Sequence, residues 1–281
     1  MLLKLTVSLP RPLSFCCTLT GKTYQTALIT GASGGIGEAF AEQLAAAGTD
    51  LILVARSQDK LEALAAGLRR KHQRRVEVIP LDLSVPKPGQ RLLDAVTERG
   101  LQADLLVNNA GFGGAGDFHQ QSADRDQEMI AVNIATVVDL THAFLPAMVA
   151  AGHGAVINIA SMAGFQPMPY MSVYGATKAF VISFTEGLWA EYRGRGIGFL
   201  AVCPGPVETG FFDATGNAKL RSSIPSSIVM KPGPVVAGSL KALRAGQPLF
   251  IPGVSNRFAA QLPRLMPRRL VAATMAKVMN R

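Results

Sequence analysis

Cysteine is scarce: Cys16, Cys17 and Cys203 are the only three in 281 residues. Two of them are adjacent, so no disulfide framework can be drawn, and no CxxC or Cys/His spacing of zinc type occurs. A reducing, intracellular setting is expected, with Cys203 a buried thiol at the end of an apolar run. The four histidines, His72, His119, His142 and His153, are scattered and suggest neither a metal site nor a histidine-based triad. No apolar run of about 18 residues is read in the chain, so no membrane-spanning helix is expected. Acidic residues are missing altogether from Ala214 to Arg281, a stretch with eleven Lys/Arg. The remaining 17 basic and 19 acidic residues nearly balance. The net +9 is therefore a local property of the C-terminal quarter, and a nucleic-acid-binding character for the whole chain is excluded.

What is present is an apolar fraction of 48%, enough for a sizeable core, with glycine and proline in ordinary amounts. Short apolar runs alternate with helical stretches from Tyr24 onward. YQTALIT (Tyr24–Thr30), DLILVA (Asp50–Ala55), RVEVIPL (Arg75–Leu81), DLLVNN (Asp104–Asn109), AVINIAS (Ala155–Ser161), IGFLAVC (Ile197–Cys203) and PLFIP (Pro248–Pro252) read as strands covered on both faces. Helices are expected over Glu38–Ala47, Leu61–Arg70, Asp124–Ala150 and Val173–Arg193, among others. The alternation predicts an α/β fold: one Rossmann-like domain with a doubly wound parallel sheet of about seven strands. Residues 1–22 carry Pro10 and Pro12 in a mildly apolar stretch, which reads as a disordered N-terminal extension and not a secretory signal. The catalytic domain is placed at 23–253 and a basic amphipathic C-terminal extension at 254–281.

The first strand runs into TGASGGIG (Thr30–Gly37) and then a helix. Gly31 suits a tight turn, Gly35 lets backbone approach a pyrophosphate, and Gly37 lets the helix pack closely on the sheet. The helix N-terminus offers free N–H groups to phosphate. The spacing is GxxxGxG, and a glycine cluster alone could be only a flexible turn; its place between first strand and first helix argues for a dinucleotide site. The second strand ends in LVARS, so Arg56 occupies the position where an acid would bind a ribose hydroxyl. A guanidinium there can pair with a 2′-phosphate, and Ser33 can add a hydroxyl, which favours NADP(H) over NAD(H). An exposed surface arginine is the plain alternative.

Tyr174 and Lys178 stand four apart in YGATK and share a helical face. An ammonium about 4 Å from a phenol favours phenolate by roughly 4 kcal/mol at an effective dielectric near 20. The expected result is a tyrosine titrating close to neutrality. Alone, such a pair is more often a solvated helix face. Ser161 ends the fifth strand at the carboxyl edge of the sheet, where ligands bind in this architecture. Asn133 lies in an otherwise apolar helical stretch, where a backbone-satisfied Asn is an equal reading.

Taken together, TGASGGIG, DLS (Asp82–Ser84), NNAG (Asn108–Gly111), Asn133, Ser161, YGATK and PGPVET (Pro204–Thr209) resemble the short-chain dehydrogenase/reductase family, over about Thr23 to Gly210. The resemblance implies an NADP(H)-dependent oxidoreductase acting on a carbonyl or alcohol. In that reading Tyr174 exchanges the proton, and Lys178 lowers its pKa and holds the nicotinamide ribose. Ser161 holds the carbonyl oxygen, and Asn133 positions a water. Asp82 would reach the adenine, and Asn109, Ala110 and Gly111 would line the cofactor together with Ile36. Pro204, Gly205, Val207 and Thr209 would shape the nicotinamide pocket. No metal is implied; a cytoplasmic homo-oligomer is.

Substrate walls are expected at Met162–Met171 and from Gly210 to about Met230; the first, rich in Met, Pro and aromatics, suggests an apolar or lipid-like substrate. Beyond Pro252, Pro263 and Pro267 should break the chain into short helices carrying Arg257, Arg264, Arg268, Arg269, Lys277 and Arg281. These either pack on the domain with solvated cations or touch anionic lipid. Two further alternatives are an NAD(H)-dependent alcohol dehydrogenase and a cofactor-binding, membrane-associated protein with little turnover.

Overall fold

The computed structural model describes residues 24–211 and 225–279. The expectations for residues 1–22, Cys16 and Cys17, and for the part of the second substrate wall over 212–224, lie outside the described residues, as does Arg281.

Seven strands form one parallel sheet: β1 (Thr26–Thr30), β2 (Asp50–Ala55), β3 (Val76–Pro80), β4 (Leu105–Asn108), β5 (Gly154–Ile159), β6 (Ile197–Val202) and β7 (Leu249–Phe250). Their order is β3-β2-β1-β4-β5-β6-β7, the doubly wound arrangement expected. The helices are α1 (Gly35–Ala46), α2 (Gln58–His72), α3 (Pro88–Thr97), α4 (Ala123–Ile130), α5 (Thr136–Ala151), α6 (Ser172–Glu191), α7 (Pro232–Arg244), α8 (Val254–Gln261) and α9 (Arg268–Met279).

The strands carry apolar side chains on both faces because both faces are covered. Along β1, Ala27 and Ile29 turn into one layer with Phe40 and Leu44 of α1, Leu61 of α2 and Leu240 of α7. Leu28 turns into the opposite layer with Leu92 of α3 and Leu140, Phe144 and Met148 of α5.

Where one long helix was expected over Asp124–Ala150, the structure has α4, a π-helical turn at Ala131–Ala135, and α5. Residues 123–151 together are long and apolar enough to cross a membrane by length and composition, which no apolar run read from the sequence suggested. Their packing is that of a core element: Leu140, Phe144 and Met148 are buried in the layer beneath the sheet.

Asp104 anchors the start of the sheet. Its carboxylate accepts hydrogen bonds from the amides of Gln25 at 2.8 Å and Thr26 at 2.9 Å, and His153 Nε2 lies 3.4 Å away. Its backbone carbonyl takes the Ala155 amide at 2.9 Å, so one residue holds the entrances of β1, β4 and β5 in register. Asp104→Ala should lower stability by about 1–3 kcal/mol, since one exposed and one part-buried amide lose a charged acceptor. A urea midpoint lowered with unchanged slope would bear this out; an unchanged midpoint would show that water replaces the carboxylate at no cost.

Candidate active site

The sheet order reverses between β1 and β4, and such a switch point opens a crevice at the carboxyl edge. Thr30 and Asn109 brace that crevice. The Thr30 hydroxyl accepts the amides of Asn109 and Ala110, each at 3.0 Å. Asn109 Nδ2 donates to the carbonyls of Thr30 at 2.9 Å and Gly31 at 3.0 Å. The Asn109 side chain thus holds the glycine loop in shape, a bracing task distinct from the cofactor lining inferred from the resemblance.

The loop can take a diphosphate. Gly35 has φ +59°, which L side chains rarely adopt, and a Cβ there would come within 2.7 Å of Thr209 Cγ2. Gly31 is equally confined: a Cβ would lie 2.9 Å from Ala110 Cα. α1 begins at Gly35 with Gly34 before it, so its first-turn amides have no intrahelical acceptor and open onto the crevice. Ile36 packs on the core layer, anchoring the loop from behind.

Arg56 follows β2 with its side chain 69% exposed, 3.6 Å from Glu128 Oε1. Asp82 lies after β3. The Ser84 amide and hydroxyl, both bonded to its Oδ1, hold its carboxyl below the ordinary range, with Arg56 adding to the effect. Ser33 opens onto a groove of about 770 Å³ between α1 and α2, lined also by Glu38, Glu42, Lys60 and Lys71. That groove is shared by both charge signs and lies away from Tyr174.

Tyr174, Lys178, Ser161 and Asn133 come from three separate chain segments. α6 carries Tyr174 and Lys178 on its inner face, and both are buried. Ser161 leaves β5 in extended conformation and its Oγ accepts the Ala163 amide at 3.1 Å, starting the short turn Met162–Phe165. The Ser161 hydroxyl is near enough to the Tyr174 phenol to favour its ionised form. Lys178 Nζ donates to the Ile159 carbonyl at 2.8 Å and lies 5.8 Å from the Tyr174 ring centroid.

Asn133 sits inside the π-helical turn, a feature frequent at functional sites. Its Oδ1 accepts the Phe112 amide at 3.2 Å, and its Nδ2 donates to the Phe112 carbonyl at 3.0 Å and Thr177 Oγ1 at 3.1 Å. The side chain lies against Gly111, where a Cβ would meet Asn133 Oδ1 at 2.8 Å. Gly111 is therefore a place of close approach between the β4 loop and Asn133.

The electrostatics differ from the sequence-based expectation. Burial raises the Tyr174 pKa to about 12, outweighing the lowering by the nearby Ser161 hydroxyl. Burial likewise lowers Lys178 to about 8. The expected near-neutral tyrosine rested on an ammonium facing the phenol oxygen. In the fold that ammonium is turned to the Ile159 carbonyl, and loss of water is the larger effect on both groups. Cys203 is buried and its thiol pushed up, as befits an inert core cysteine.

The PGPVET segment closes the crevice. Pro204 is buried and its carbonyl accepts the Met162 amide at 3.0 Å, tying this loop to the turn after Ser161. Gly205 lies against Asn256, Val207 pairs with Met230 in an isolated bridge, and Thr209 packs over Gly35. Several participants carry no signal by residue type or spacing. Thr177 stands inside YGATK but becomes a partner of Asn133 only through the π turn. Phe112, Phe211 and Met279 pack with Tyr174, Met168 and Met171 in one apolar cluster beside the phenol. Tyr170, in the same wall, has φ +64°, an outlier for an aromatic residue, with its carbonyl held by the Gly116 amide at 2.9 Å.

A crevice at the switch point of a parallel α/β sheet, with a serine, a tyrosine and a buried lysine gathered beside it, has the form of a dinucleotide-binding enzyme. A family profile described as short chain dehydrogenase matches residues 25–219, and the chain belongs to that family. It is 34% identical over 199 residues to the very-long-chain 3-oxoacyl-CoA reductase of Rattus norvegicus, covering 69% of this chain and 61% of that one. The chain thus matches about three-fifths of that relative's length. It is 40% identical over 189 residues to sulfoacetaldehyde reductase 2 of Chromohalobacter salexigens, covering 66% of this chain and 73% of the relative. Among solved structures, a short-chain dehydrogenase from Sphingobium yanoikuyae in complex with NADPH superposes with TM-score 0.76 at 36% identity, covering 84% of this chain and 91% of that one.

In the cofactor-free protein the Tyr174 phenol should keep its proton through roughly pH 10. Phenolate absorbance compared between the native chain and Tyr174→Phe should show no extra titrating group below that point. A phenol titrating near neutrality would contradict the dominance of burial.

Proposed function

We propose that the chain is an NADP(H)-dependent oxidoreductase that interconverts a carbonyl and a secondary alcohol on an apolar or lipid-like substrate, with Tyr174 as general acid and base. The observation that carries this reading is the gathering of Ser161, Tyr174 and Lys178 at the carboxyl edge of the sheet, with Lys178 Nζ 5.8 Å from the Tyr174 ring centroid and donating to the Ile159 carbonyl.

NADPH, when bound, supplies the hydride to the carbonyl carbon. Ser161 donates a hydrogen bond to the carbonyl oxygen, and Tyr174 transfers its phenolic proton to that oxygen as negative charge develops there. Lys178, charged below about pH 8, lies close enough to steady the phenolate left behind. Asn133, held on Phe112 and Thr177, fixes the floor of the site and offers a polar group for a water that returns the proton. Oxidation runs the same steps backwards. The high pKa of Tyr174 in the free protein leaves it in the proton-donating form, which suits the reductive direction.

Arg56 is assigned to the cofactor's 2′-phosphate, with Ser33 beside it, and Asp82 to the adenine. Gly31, Gly35, Ile36 and Gly37 form the diphosphate cradle; Asn109, Ala110, Gly111, Pro204, Gly205, Val207 and Thr209 form the nicotinamide side. The NADPH-bound relative supports the choice of cofactor. The apolar substrate rests on Phe112, Met168, Met171 and Phe211 around Tyr174, and a reductase of very-long-chain acyl thioesters among the relatives points the same way. The unit at 23–253 carries the reaction and 254–281 is an added extension; a cytoplasmic homo-oligomer completes the reading.

Turnover is followed as NADPH oxidation across ketones, aldehydes, 3-oxoacyl thioesters and steroids. Tyr174→Phe should lower kcat by roughly 10²–10⁴-fold, the usual contribution of a positioned acid. Full activity in that variant would overturn the mechanism. Arg56→Ala should raise KM for NADPH about tenfold and leave NADH nearly unchanged, as an exposed charge-assisted contact allows. An unchanged ratio would transfer the preference to another residue.

A further inference from the structure

The segment after β7 presents apolar side chains to solvent. Val254 and Phe258 stand one turn apart on α8, and Leu262 and Leu265 one turn apart in the 3₁₀ turn Leu262–Leu265 that follows it, together forming an exposed apolar face. That face points outward: Phe258 is 72% and Leu265 82% exposed. Leu270 and Val278 continue the exposed apolar surface on α9. Arg257, Arg264, Arg268, Arg269 and Lys277 are interspersed with it and exposed. Among the described residues, no carboxylate pairs with any of these five, and the sequence has no Asp or Glu after Asp213.

The inner side of the same segment is seated on the active site. Ala260 is buried against Cys203 and Ile251, with Met162 and Phe165 beside it. Asn256 Nδ2 donates to the Pro252 carbonyl at 2.8 Å and lies against Gly205 in the PGPVET loop. At the far end Met279 joins the apolar cluster around Tyr174. The segment therefore touches the PGPVET loop with its first helix and the apolar cluster around Tyr174 with Met279.

We propose that α8 and α9 form a docking surface for an anionic lipid bilayer, placed so that the substrate side of the site lies against the membrane. Cations meet lipid headgroups while the apolar stripe enters the acyl boundary, a pairing that neither component achieves alone. A nucleic acid would leave the exposed Phe and Leu side chains without gain. A second copy meeting this face about a two-fold axis would bring the same uncompensated cations together.

The test uses the full chain and vesicle co-sedimentation, with phosphatidylglycerol/phosphatidylcholine vesicles against phosphatidylcholine alone. The native protein should sediment with the anionic vesicles and bind neutral ones at least about tenfold more weakly. A triple variant Phe258→Ser/Leu262→Ser/Leu265→Ser and a second, Arg264→Glu/Arg268→Glu/Arg269→Glu, should each lose about tenfold or more of that binding. Unchanged turnover of a water-soluble ketone without vesicles shows that both variants are folded. Native protein that stays in the supernatant, or variants that sediment undiminished, would overturn the proposal. So would an apolar variant whose only change is a smaller particle mass, which would make this face a contact between copies. Sedimentation is read independently of turnover, so failure of the reaction proposed above would not be mistaken for failure of docking.

Discussion

The brace between β1 and β4 is the constraint on which the rest of the site depends. Four hydrogen bonds cross the point where the sheet changes direction: the Asn109 and Ala110 amides donate to the Thr30 hydroxyl, and Asn109 Nδ2 donates to the carbonyls of Thr30 and Gly31. Each contributes roughly 0.5–1.5 kcal/mol, but their geometric effect is larger than their energy. They set how far the glycine loop stands from the β4 loop. On one side of that gap α1 offers its free amides; on the other, Gly111 and Phe112 meet Asn133. A shift at this brace would displace the glycine loop and the Gly111–Asn133 contact together.

Beyond the brace, the chemistry is governed by the removal of water. The Tyr174 phenol and the Lys178 ammonium are buried within an otherwise apolar setting, and each is driven towards its neutral form. The single strong polar contact of Lys178 is the Ile159 carbonyl at the end of β5. That contact turns the ammonium towards the backbone at the end of β5, 5.8 Å from the centre of the phenol ring. The free protein is therefore poised with the proton on tyrosine. The same low-dielectric surroundings make any negative charge arising in the site sensitive to Ser161 and Lys178.

The relatives illustrate how little the scaffold says about substrate. One reduces very-long-chain 3-oxoacyl-CoA and another is named for sulfoacetaldehyde, although both align over about two-thirds of this chain. What distinguishes this protein lies in its walls and its end. Phe112, Met168, Met171 and Phe211 line the phenol with apolar surface, and Met279 arrives there from the extension. The extension is thus part of the site's surroundings, with its inner face on the catalytic loops and its outer face bearing cations and exposed leucines.

The sequence by itself determined the layered α/β fold, because each strand is a short apolar run covered on both faces and each crossover helix has room between them. It also placed Ser161 at the sheet edge and Tyr174 with Lys178 on one helical face, at the spacings the structure shows. The break of the extension near Pro263 and Pro267 follows from proline chemistry in the same way. Tertiary structure alone decided the rest. The π turn that aims Asn133 at Phe112 and Thr177 has no periodic signal, because one extra residue in a helix leaves the apolar pattern almost unchanged. The bracing task of Asn109 depends on how close β1 and β4 come. The sign of the Tyr174 shift could not be read from a four-residue spacing, which fixes the direction of two side chains but not how much water surrounds them. Met279 joins the apolar cluster that contains Tyr174 across about a hundred residues of chain, and only the packed fold brings it there.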